Sequence, residues 1–133
     1  RMLTHNDVHL KNWYITPQGE LGVNDWQNCC KGNWSRDFAY CLATGTVPEK
    51  RRAWERELLQ YYLDQLCARG GPRLVFDDAW QLYRQQLFAA LAWWTGTLGQ
   101  PPEAPAMQPP ATSLEFIRRI VIAIDDLAAL DSF

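Results

Sequence analysis

Apolar positions along the chain change period once, and the change divides it into two unequal parts. Trp13, Tyr14 and Ile15 have strand character, Pro17-Gln18-Gly19-Glu20 supplies turn chemistry, and Leu21 and Val23 alternate on the return, so residues 13–23 predict a β-hairpin. Residues 28–33 are polar, include Gly32 and read as a loop. Beyond them the period is helical. A short helix is predicted over 34–44, with Phe38, Cys41 and Leu42 on its inner face. From 48 to 68, Trp54, Leu58, Leu59, Tyr62, Leu63 and Leu66 form a stripe that starts near Pro48 and stops at Gly70-Gly71-Pro72. From 78 to 97, with Asp77 as cap, Leu82, Leu87, Ala90, Leu91 and Trp94 line one face. From 113 to 130, Thr112 and Glu115 suggest a capping box ahead of Phe116, Ile117, Ile120, Val121 and Ile124. Residues 101–110 hold five of the eight prolines and predict an extended surface connector.

Composition narrows the class without naming a chemistry. The chain has 133 residues, enough for one domain with a real core, and it is 47% hydrophobic and 21% charged, as a soluble globular protein would be. A net charge of −2 gives no basic footprint for nucleic acid or a membrane surface. No apolar run approaches the roughly 20 residues that a membrane span needs. Cys29, Cys30, Cys41 and Cys67 form no CxxC pair, and both histidines lie upstream at 5 and 9, so a zinc site is poorly supported. Adjacent cysteines suit disulfide geometry badly, and reduced thiols fit a cytoplasmic location.

The informative text is His5-Asn6-Asp7-Val8-His9-Leu10-Lys11-Asn12, followed by Val23-Asn24-Asp25-Trp26. Phosphoryl transfer needs one carboxylate to orient the attacking hydroxyl and accept its proton, and oxygen ligands to hold magnesium against the nucleotide phosphates. In the protein-kinase catalytic loop, His stands two residues before the Asp and Asn five after it. Here His5, Asp7 and Asn12 keep both spacings. The hairpin then brings Asn12, entering it, close to Asp25, leaving it, so that both could reach one metal ion.

These elements, with Gly32 and the run Asp37-Phe38-Ala39 beyond them, resemble the family of aminoglycoside phosphotransferases and choline kinases. The likeness is close over residues 5–40 and loose elsewhere, where Tyr83-Arg84 and Trp93-Trp94 are the nearest echoes. It implies an α+β, predominantly helical fold: a protein-kinase-like C-terminal lobe with one catalytic-loop β-hairpin and about four helices. It implies Asp7 as catalytic base and Asn12 and Asp25 as metal ligands. His5 and Asp37 would give structural support to the catalytic loop. It also implies Mg2+ as cofactor, ATP as co-substrate and a small-molecule hydroxyl as acceptor. His9 stands where Ser/Thr protein kinases carry a Lys facing the transferred phosphate, so it is read as assisting the transfer. Lys11 reads as solvated, and Trp93 and Trp94 as core more than as a substrate wall.

The chain departs from the family pattern in three places. Gln27 replaces the Gly of the metal triplet, no A-P-E sequence follows, and no Gly-rich nucleotide-holding strands or strand Lys precede His5. The organisation expected is therefore a single kinase-like C-terminal lobe over 1–133. Residues 1–33 form its catalytic loop, hairpin and metal-binding loop, residues 34–133 its helical body, and the N-terminal nucleotide-binding lobe is absent. Such a chain would be weak or inactive alone, and its uncovered face could take the missing lobe or self-associate. The alternative is a non-catalytic, truncated kinase-like remnant acting as a binding or interaction module. Retention of Asp7, Asn12 and Asp25 together weighs against decay.

Overall fold

The computed structural model describes residues 1–105 and 107–133. It is mostly helical, with two small antiparallel sheets at the N-terminal end. In chain order the elements are β1 (Met2–Thr4), β2 (Trp13–Ile15), β3 (Leu21–Val23), β4 (Cys30–Gly32), α1 (Trp34–Gly45), α2 (Pro48–Ala68), α3 (Phe76–Leu98) and α4 (Pro110–Asp126). Short 3-10 turns lie at Leu10–Asn12, Trp26–Asn28 and Ala129–Ser132.

The predicted hairpin forms as β2–β3, with Trp13 opposite Val23 and Ile15 opposite Leu21. Thr16 N–H donates to the Glu20 carbonyl at 2.8 Å and Gly19 N–H to the Thr16 carbonyl at 2.9 Å. Gly19 (φ 82°) takes the left-handed position that closes such a loop. The segment read as loop over 28–33 behaves differently. Its last residues are β4, which pairs antiparallel with β1, Met2 opposite Gly32 and Thr4 opposite Cys30. Strands of three residues are too short to show a period, and their pairing is made across the whole catalytic loop and hairpin. A Cβ on Gly32 would sit 2.6 Å from the Thr4 hydroxyl, so this crossing needs a glycine.

α1, α2 and α3 lie within two residues of their predicted bounds. Asp77 does not cap α3; the helix starts one residue earlier, at Phe76, and Asp77 and Asp78 sit in its first turn, where the helix dipole favours them. The capping box of α4 does not form either. Pro109-Pro110 opens that helix, because Pro at the first position gives up an N–H that has no helical partner anyway. Thr112 is thereby inside the helix, and Glu115 turns forward to Arg118 and Arg119. The helix ends at Asp126 instead of 130. The connector expected over 101–110 is irregular up to Pro109 as far as it is described, and residue 106 lies outside the described residues.

The core gathers Ala39, Tyr40 and Leu42 of α1, Tyr83, Leu87 and Trp94 of α3, and Ile120 and Ala123 of α4, with Val8 of the N-terminal loop against them. A second cluster around Trp34, Leu59, Leu63 and Ala79 shares Phe38 and Trp80 with the first. Three inward assignments are corrected: Trp54 and Leu58 on α2 and Val121 on α4 are exposed. α2 instead buries Arg51, Glu55, Leu59 and Leu63, spaced by four, because only one narrow face of it meets the body. No described helix is long and apolar enough to cross a membrane.

Candidate active site

Residues 5–9 leave β1 as an irregular loop, yet every one of them is buried. A buried loop must find partners for its backbone and polar side chains, and this one finds them in α1 and around the hairpin. His5 N–H donates to Asp37 Oδ2 at 2.6 Å and Asn6 N–H to Asp37 Oδ1 at 2.8 Å, so a single carboxylate ties down two consecutive amides. The cap of α1 is Asn33, whose Oδ1 accepts from Ser35 N–H at 3.2 Å. Asp37 in the first turn is therefore free to reach outward to the loop.

Asn6 is in the left-handed region (φ 68°), where Asn is tolerated better than most side chains. Its amide donates to the Thr4 hydroxyl, the Asn28 carbonyl at 2.9 Å and Cys30 Sγ, tying the loop to β1 and β4. His5 closes the other side. Its Nε2–H donates to the Asn24 carbonyl at 2.7 Å and its Nδ1 accepts Asp7 N–H at 3.2 Å, so the two ring nitrogens have opposite roles. Its ring packs on Trp26, with centroids 4.6 Å apart.

These contacts deliver Asp7 and Asn12 to one edge. Asn12 Nδ2 donates to the Asp7 carbonyl at 2.8 Å, and the Asn12 carbonyl accepts Asn24 N–H at 2.8 Å. Asn12 is thus locked between the loop and the neck of the hairpin, one residue from Asp25. Asp25 itself is exposed and left-handed (φ 60°), and the Trp26 indole donates to the Val23 carbonyl beside it. Among the described residues, neither the Asn12 side-chain oxygen nor the Asp25 carboxylate has a hydrogen-bond partner. No group of three or more His, Cys, Asp or Glu among those residues could hold a metal. An amide oxygen and a carboxylate are the donor types of a hard cation that keeps water and phosphate ligands, and two of them do not make a closed protein cage.

Asp7 Oδ1 accepts the Tyr40 hydroxyl at 2.7 Å, and the His9 Nε2 stands 3.7 Å from the same oxygen, beyond hydrogen-bond reach. Burial pushes the Tyr40 phenol well above its ordinary range, helped by the bond to Asp7, so it stays a donor. Burial also lowers the pKa of His9, against the opposing charges of Asp7 and Asp25 and with Lys11 reinforcing it. The imidazole is consequently neutral around pH 7, lying 5.9 Å from the Trp94 ring. Lys11 is exposed and reaches Gln108 at 2.8 Å, and Trp94 is core.

The six residues singled out from sequence thus divide. His5, Asp7, Asn12 and Asp37 form one bonded constellation; His9 lies against it and Asp25 at its open edge. Tyr40, Asn6 and Asn33 were not foreseen as bonding partners. Tyr40 follows Asp37 by three residues and so shares its helix face, which is the one signal that could have exposed it. Behind the loop, an apolar cleft of about 450 Å³ opens between α1 and α2, lined by residues including Val8, Leu10, Phe38, Leu58 and Tyr61. Its lining offers almost nothing to a phosphate.

A model of the Phosphotransferase enzyme family (APH) matches residues 1–75, more than half the chain, from β1 through α2. No curated protein and no solved structure matches the chain. Since that match spans the loop, the hairpin and α1, the chain belongs to the phosphotransferase enzyme family.

Proposed function

We propose that residues 1–133 are the kinase-like catalytic lobe of an ATP-dependent phosphotransferase whose acceptor is the hydroxyl of a small molecule. The observation that supports it most is the bonded loop: Asp7 keeps one oxygen without a partner among the described residues, Asn12 is bonded to the Asp7 carbonyl and to Asn24 at the neck of the hairpin, and Asp25 follows exposed one residue later. In this reading Asp7 accepts the proton of the acceptor hydroxyl as the oxygen bonds to the γ-phosphorus and the bond from that phosphorus to the β-phosphate oxygen breaks, releasing ADP. Asn12 and Asp25 would hold magnesium, which neutralises phosphate charge when bound. His5 and Asp37 keep the loop in shape, and His9 offers a neutral donor towards the transferred group. Phosphoryl transfer rests largely on positioning, which is what the bonds from Asp37, Asn6 and His5 supply. Four free cysteines favour a reducing, cytoplasmic setting.

The test is calorimetric titration of the longest natural form of the protein with ATP, with magnesium and with EDTA. Binding is expected to need magnesium and to weaken at least tenfold in Asp25→Ala. Equal affinity in EDTA would remove Asn12 and Asp25 from the metal role.

The apolar cleft favours a second reading, a non-catalytic binding module. Magnesium-dependent ATP turnover that vanishes in Asp7→Asn decides for the enzyme; its absence in the wild type decides for the module.

A further inference from the structure

We infer that Tyr40 is a positioning residue: its hydroxyl fixes one oxygen of the Asp7 carboxylate so that the other is aimed at the acceptor. This rests on the reading of Asp7 as the base. A free aspartate rotates about its last torsion and presents either oxygen, whereas a base must hold one lone pair in line with the hydroxyl it serves. Asp7 does not have that freedom. Oδ1 is held at 2.7 Å by a phenol that is only 1% exposed, while Oδ2 has no partner among the described residues and is not sealed from solvent.

Tyr40 and Asp37 lie one turn apart on α1 and act on successive parts of the same loop. Asp37 fixes the amides of residues 5 and 6; Tyr40 fixes the side chain of residue 7. One helix face therefore sets both the backbone and the rotamer of the proposed base. Packing keeps Tyr40 in place, since its ring lies 6.0 Å from Trp94, itself 1% exposed. His9 does not compete for Oδ1 at 3.7 Å. When the acceptor hydroxyl attacks, its proton passes to Oδ2, and the bond from Tyr40 stays with Oδ1 throughout. A phenylalanine would fill the same space and lose only this control.

The experiment uses the longest natural form of the protein and magnesium-ATP hydrolysis, with water as the acceptor. Tyr40→Phe is expected to lower kcat about tenfold with KM for ATP unchanged, and Asp7→Asn to abolish turnover. A proton NMR resonance of a protected hydroxyl should be present in the wild type, absent in Tyr40→Phe and Asp7→Ala, and retained in His9→Ala. Full kcat in Tyr40→Phe, with Asp7→Asn inactive, overturns the role of Tyr40 alone; so does absence of the hydroxyl resonance from the wild type. Unchanged turnover in Asp7→Asn, or none in the wild type, overturns the reading of the base and this inference with it.

Discussion

Two clusters of buried polar side chains lie in this chain, and they are completed differently. In the helical body, Arg51 is 1% exposed and donates to Glu55 at 2.6 Å and to Asp126, Tyr83 donates to Glu55 at 3.0 Å, and Arg52 reaches Asp126 at 2.7 Å. Guanidinium donors reach both carboxylates, bonding Asp126 on both oxygens and Glu55 on one, and the result ties α2, α3 and α4 together. At the N-terminal loop no guanidinium is bonded to a carboxylate among the described residues: Asp37 accepts two backbone amides, Asp7 accepts one phenol and keeps its other oxygen without a partner, as Asn12 does its side-chain oxygen. Carboxylates matched by guanidinium groups hold a fold. A carboxylate bonded only by a neutral phenol has something left to offer a ligand, and that contrast separates the two clusters.

The sharpest way to break the contrast is to remove the guanidinium from the first cluster. Arg51→Ala would leave Glu55 buried beside Asp126 with no cation between them. A loss of about 3–5 kcal/mol in unfolding free energy is expected, because removing one partner strands a buried charge. Urea denaturation measures it. Nucleotide affinity per folded molecule should be unchanged; a variant as stable as the wild type would show that the cluster does not hold the helices together.

Asp37 tests the other side. Asp37→Ala strands the two loop amides, and a loss of roughly 1–3 kcal/mol is expected, smaller than for Arg51. Here the functional effect should exceed the structural one, with magnesium-ATP binding lost while the helices still melt cooperatively. Asp37→Asn, which keeps an acceptor oxygen for one amide, should fall between. Retained nucleotide binding in Asp37→Ala would detach the loop geometry from function.

How far such features could be read from sequence depended on their range. The helices of α1 to α3 announced themselves through period and stop signals, and the hairpin through its turn residues. The spacing of His5, Asp7 and Asn12 and the run at Asp37 identified residues that the fold does bond together, because loop spacing is local. What stayed hidden was decided at a distance. β1–β4 pairing joins segments some thirty residues apart, so neither strand carries its own signal. Arg51 and Glu55 look like an ordinary surface pair at helical spacing, and only Asp126 and Tyr83, arriving from other helices, bury them. Tyr40 reads as one more apolar position of α1 until the loop folds over it. The capping box at Thr112 was lost to a stronger local signal two residues upstream, Pro109-Pro110.

The smallest effect is the subtlest test of the loop cluster, since it asks which of two opposed forces acts on His9. Burial holds its pKa below the ordinary 6.5, whereas the charges of Asp7 and Asp25 pull it up and that of Lys11 pushes it down. With burial winning, the unfolded chain takes up a proton near pH 6.5 before the folded loop does. By linkage the folded state is then fully favoured above about pH 7 and loses stability as pH falls through 6.5 towards the lower folded value. A modest fall in melting temperature between pH 7 and 5.5 is expected, and His9→Gln should remove that part of it, the difference between the two curves isolating His9 from His5. If stability instead rises on acidification in the wild type and not in His9→Gln, the carboxylates outweigh burial. His9 would then be a cation beside Asp7 under mildly acidic conditions, and its contribution to phosphoryl transfer would be charge and not a neutral hydrogen bond.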